Sequence, residues 1–156
     1  MAPQSFSSVN YLSPLCSYGR LRSLLTFVIV PMLNPDGCYA GNYRTDSLGA
    51  DLNRMWEAPG PSTEPTLHAA KALLLKYEAD PAASLDFYVD VHAHSNARSG
   101  FFLCNPPRQR DCASFERAAL LPRLMDARLR DFSLAACRFD ADPLKMGSAR
   151  RVASLP

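Results

Sequence analysis

At 156 residues, 47% of them apolar, the chain is long enough for one domain with a core of its own. Its formal charge of +2 is too small to draw it to nucleic acid or a membrane surface, and no apolar run approaches the roughly 20 residues of a membrane span. Five cysteines, Cys16, Cys38, Cys104, Cys112 and Cys137, contain no Cys-x-x-Cys pair, and they fit reduced thiols in a cytoplasmic protein.

Residues 1–20 are Ser-rich and without a clear period, which predicts a poorly ordered segment. Arg20 and Arg22 followed by apolar residues 24–30 mimic the order of a signal peptide, but the run starts late and meets Pro31, so it is not read as one. Residues 27–32 are β-branched and aromatic and predict a buried strand. Asn34-Pro35-Asp36-Gly37 supplies turn chemistry that should end it. A polar loop to about Pro61 follows, longer than an ordinary connection, with Gly41, Gly49 and Gly60 suited to sharp changes of direction.

Thr63, Glu64 and Pro65 open a helix in which Leu67, Ala70, Leu74 and Tyr77 recur at helical spacing until Asp80-Pro81. Residues 85–91 predict a second strand, which delivers His92-Ala93-His94-Ser95 at its carboxyl end, and 101–104 a short third. A helix is expected over 112–130, broken or kinked at Pro122, and an irregular tail from Ser133. Strand, loop, helix, strand, strand, helix is an α/β order, a mixed sheet flanked by helices, whose ligands gather beyond the carboxyl ends of strands.

Two polar clusters occupy that position. Arg44, Asn53 and Arg54 place guanidinium groups beside an amide, suited to gripping a carboxylate through forked, charge-assisted hydrogen bonds; solvated loop arginines are the plainer alternative. Trp56 would anchor the loop to the core, and Asp46, Asp51 and Glu57 are general-base candidates that spacing alone does not rank. His92 and His94 share one face of an extended segment, with Asp90 placed to orient a ring, but two histidines are a metal site only if other ligands arrive from elsewhere. His68 reads as a packed or exposed helix residue. There is no Gly-x-Ser-x-Gly elbow, phosphate loop or His-Glu-x-x-His helix.

Five blocks, PMLNPDG at 31–37, GNYR at 41–44, DLNRMW at 51–56, PTLHAAK at 65–71 and FYVDVHAHS at 87–95, together resemble the zinc metallocarboxypeptidases of the cytosolic carboxypeptidase branch, also called ATP/GTP-binding-protein-like proteins. The resemblance runs over residues 21–151 and implies part of a zinc-carboxypeptidase-like α/β catalytic domain, with 152–156 as a tail. It implies zinc as the metal, His92 as one zinc ligand, Arg44 as the group that polarises the scissile carbonyl, Asn53 and Arg54 as the holders of the terminal carboxylate, and His94 as a residue lining the site. The substrate it implies is the carboxyl-terminal tail of a protein, acidic and glutamate-rich as in tubulin, from which glutamates are removed.

The resemblance also implies a His-x-x-Glu pair before the NPDG strand and a general-base Glu beyond residue 156. The chain has no His before His68 and no counterpart of that Glu. One histidine cannot hold a catalytic zinc, so the chain alone is expected to be inactive. Two other readings stay open: a non-catalytic module that binds acidic peptide ends, and a fragment whose raw sheet edges prevent stable folding.

Overall fold

A computed structural model describes residues 19–95, 97–107 and 111–153. The expected disorder of residues 1–18 and the thiol of Cys16 lie outside these. A short helix, α1 (Gly19–Leu24), precedes the first apolar segment, and a second, α2 (Pro35–Ala40), follows it. The expected turn at Asn34-Pro35-Asp36-Gly37 is therefore a helix start. Asn34 serves as N-cap, its side chain accepting from the Gly37 N–H, while Pro35 sits where its missing N–H is harmless and Asp36 faces the positive end of the helix dipole.

The predicted central helix is present as α3 (Pro65–Glu78). Glu64 reaches back to accept from the Gly60 N–H at 2.9 Å, and Thr66 donates to the Leu33 carbonyl at 2.7 Å, pinning the first turn to the segment before the loop. Leu67 is fully buried and meets Trp56 and Ala149, with Leu33, Leu52, Ala70, Leu74, Tyr88 and Val152 packed around them. This core joins the loop, α3 and the carboxyl-terminal region. Burying side chains of this size contributes about 1.5–3 kcal/mol each.

Helix α4 (Cys112–Arg128) is capped by Asp111, whose carboxyl is held below its ordinary range chiefly by the Ser114 N–H. It runs through Pro122 without the break that was one of the two expected outcomes, and the proline ring is fully buried. Losing one helical hydrogen bond there is offset by apolar contact. The tail from Ser133 is ordered rather than irregular: 3-10 turns at Leu134–Ala136 and Pro143–Lys145 flank a strand, and α5 (Ala149–Val152) follows. That strand, β2 (Arg138–Phe139), pairs in parallel with β1 (Leu103–Cys104), Leu103 opposite Arg138 and Cys104 opposite Phe139. The fold is α/β.

The predicted strands at 27–32 and 85–91 do not form, since no backbone ladder among the described residues reaches them. β-branched composition favours a strand only when a neighbour takes its hydrogen bonds and covers its face. Neither condition is met here: Phe27, Val28, Ile29, Val30, Phe87, Val89 and Val91 are all exposed, Val91 to 90%. Among the described residues no helix is long and apolar enough to cross a membrane, and Cys38, Cys104, Cys112 and Cys137 are free thiols. Burial, then the neighbouring Cys137, pushes the Cys104 thiol up to about 11, against the pull of Arg150.

Candidate active site

The loop after α2 holds its own shape. Asn34 Nδ2 donates to the Thr45 carbonyl at 3.1 Å while Asn34 Oδ1 caps α2, so one side chain ties the helix start to the far side of the loop. Gly37 lies beneath this bridge, and a Cβ there would fall 2.3 Å from both Asn34 Nδ2 and the Thr45 oxygen. Asp46, one of the general-base candidates, is a buried staple whose Oδ1 accepts from the Leu48 and Ala50 N–H groups.

Asp51 gathers the predicted carboxylate-binding residues. Its Oδ2 pairs with Arg44 Nε at 2.5 Å, and its Oδ1 accepts from the Asn53 N–H at 3.1 Å, which starts the 3-10 turn Leu52–Arg54. Arg54 Nη1 in turn donates to the Asn53 carbonyl at 2.8 Å. With Arg44 52% and Asp51 25% exposed, the ion pair is worth about 0–1 kcal/mol. Its effect is orientation, because holding Nε leaves the two Nη groups of Arg44 to face a ligand. Among the described residues Arg54 has no carboxylate partner.

The turn is seated from below. Trp56, 3% exposed, donates its N–H to the Gly147 carbonyl at 3.1 Å and meets Tyr88 edge-on at 6.2 Å between ring centres. Trp56 therefore anchors the loop and also joins it to the segment that leads to His92. Burial, then the charge of Asp90, raises the Tyr88 hydroxyl well above its ordinary value.

His92 and His94 lie on an exposed, extended segment. The acceptor beside His92 Nδ1 is the Ala93 carbonyl at 3.0 Å, not the expected Asp90 carboxylate, because the backbone oxygen of the next residue is already within reach. Asp90 is raised by burial, with His92 pulling the other way. His94 packs edge-on to Phe101 at 5.3 Å. No hydrogen bond, ion pair or ring contact among the described residues joins His92 to Arg44, Asn53 or Arg54.

A catalytic zinc needs three protein donors. Among the described residues no group of three or more His, Cys, Asp or Glu is placed to hold a metal. The described residues thus do not complete that donor set. Of the basic residues near the loop, Lys145 pairs with Asp142 at 3.3 Å, and Arg150 donates to the Cys104 carbonyl and pairs with Asp140 at 3.4 Å.

The structure thus brings Arg44, Asn53 and Arg54 together around Asp51. Sequence reasoning missed the bridging role of Asp51, for which its place in the Asp-Leu-Asn-Arg block was the available signal. It also missed Gly147 and Ala149, which no local pattern marks.

No model of a known protein family matches the chain. Among curated proteins it is 45% identical to human cytosolic carboxypeptidase 6 over 131 residues, which cover 84% of this chain and 26% of that protein. It is 40% identical over 134 residues to the Caenorhabditis elegans cytosolic carboxypeptidase 6, covering 85% and 29%, and 33% identical over 143 residues to mouse cytosolic carboxypeptidase 1, covering 85% and 12%. The chain spans about a quarter of the length of the carboxypeptidase 6 relatives. A crystal structure of a carboxypeptidase A-like protein from Shewanella denitrificans superposes with a TM-score of 0.63 at 26% identity, over 80% of this chain and 33% of that one.

Proposed function

Because the chain is a homologue of the cytosolic carboxypeptidases, we propose that it carries the carboxylate-recognition part of a cytoplasmic peptidase that trims proteins from the carboxyl end. The observation that carries this reading is the Asp51 bridge, which sets Arg44 and the Asn53–Arg54 turn on one rigid loop. Arg54 presents a planar fork matched to a carboxylate, and the Asn53 amide adds a neutral donor beside it. Arg44 is the group for the carbonyl next to that terminus, where fixed positive charge favours developing negative charge on oxygen.

We assign to His92 one place in a zinc donor set that the described residues do not complete, and to His94 a lining role. The substrate class we assign is acidic, glutamate-ended protein tails such as that of tubulin, with removal of glutamate as the reaction; this follows from the branch the chain resembles. A second reading for the 156-residue chain on its own is a module that binds such ends without cleaving them, which the self-held Arg44–Asp51–Asn53 cluster favours.

The test is a calorimetric titration of the chain with a blocked tetraglutamate peptide, once with a free terminal carboxylate and once with a terminal amide. The free acid should bind at least about tenfold tighter, the scale of one charge-assisted hydrogen-bonded pair. Arg54→Ala should bring that ratio close to one. Equal affinity for acid and amide in the unaltered chain would contradict the reading.

A further inference from the structure

We infer that Gly147 and Ala149 form a brace that positions the carboxylate-binding turn, with Gly147 a positioning residue rather than a group that touches substrate. The inference rests on the function proposed above and adds residues that lie about 95 positions away in sequence. Three contacts carry it, all between the same two stretches. The Ala149 N–H donates to Asn53 Oδ1 at 3.1 Å. The Trp56 N–H donates to the Gly147 carbonyl at 3.1 Å. A Cβ on Gly147 would lie 2.3 Å from the Arg54 carbonyl oxygen and 3.1 Å from its carbon, so the two backbones approach more closely than any side chain allows.

The first contact fixes the chemistry of Asn53. An amide side chain can be flipped, exchanging its acceptor oxygen for its donor nitrogen, but a backbone N–H can only donate. With Ala149 N–H on one side, Asn53 must turn Oδ1 to it, and Nδ2 is left as the donor for a ligand's carboxylate. The other two contacts set the backbone on either side of Arg54. Displacing that backbone by the several tenths of an ångström a methyl group demands would swing the guanidinium at the end of its long side chain by more. Ser148 completes the seat: it is buried, and its hydroxyl donates to the Lys145 carbonyl at 2.7 Å.

Ala149→Pro removes the donor of the brace at a buried core position. Ala149 is the first residue of α5, a position where proline is favoured, and Ser148 before it already has the extended backbone that a following proline requires. The substitution deletes the one N–H that orients Asn53. In this variant and in Gly147→Ala, each measured well below its own melting temperature, the ratio of free-acid to amide affinity for the tetraglutamate peptide should fall at least about fivefold. An unchanged ratio in Ala149→Pro would overturn the inference.

Amide hydrogen exchange supplies a readout that needs no ligand. Exchange at Ala149 should quicken about tenfold or more in Asn53→Ala, and unchanged exchange there would likewise overturn the brace. Should the unaltered chain show no acid preference, the proposed function fails, and the exchange result decides the brace separately.

Discussion

The loop at 34–56 and the segment at 85–95 both carry residues expected to act in one site, and the loop is held by a dense set of its own side-chain bonds. The loop is tied by Asn34 to Thr45, by Asp46 to two backbone N–H groups, by Asp51 to Arg44 and Asn53, and by Trp56 to the core. The histidine segment has Tyr88 against Trp56 and His94 against Phe101, while most of its apolar residues are exposed. Side chains that satisfy one another within a few residues fix a geometry locally, whereas a strand takes its geometry from its neighbours. The loop that carries Arg44, Asn53 and Arg54 is of the first kind, and the segment that carries His92 and His94 is of the second.

The sharpest way to break this contrast is at its joint. Trp56→Ala removes the largest core side chain and the contact with Tyr88, and should cost about 3–5 kcal/mol in a urea unfolding experiment. A loss under about 1 kcal/mol would mean that the loop does not depend on the core. Next in size is Gly37→Ala, which forces a methyl group between Asn34 and the Thr45 carbonyl and should destabilise by about 1–3 kcal/mol. Urea unfolding measures it, and a neutral result would show that the Asn34 bridge is not rigid. Smallest is Val91→Ser, which alters an exposed residue of the unpaired segment and should change the same midpoint by no more than about 0.5 kcal/mol. A large loss there would reveal a ladder partner for 85–91.

The same contrast explains what was legible in the sequence. Helices α3 and α4 could be read because their periodicity, Pro65 at the start and the residues that end them are local. The chemistry at 34–37 suits a turn and a helix start alike, since Asn, Pro and Asp open helices as readily, and the Asn34 cap on the Gly37 N–H marks the helix start. The strands at 27–32 and 85–91 were read from composition, which reports what a segment would do beside a partner and not whether one is there. The pairing of β1 with β2 was invisible because two-residue strands carry no period.

In the site, the resemblance singled out Arg44, Asn53 and Arg54, and the structure supplies what lies around them. Asp51 could be listed among the acids but not distinguished from Asp46 or Glu57 until its two oxygens were seen to face different partners. Gly147 and Ala149 lay beyond sequence reasoning because their significance is a close approach between two backbones.

The most direct test of the central claim, that the carboxylate half of the site is complete without the metal half, is the tetraglutamate titration repeated in excess EDTA and again with added zinc. The account predicts the same preference for free acid over amide, at least about tenfold, in both conditions. A preference that appears only with zinc would contradict it, because carboxylate recognition would then depend on a metal site that the loop alone does not provide.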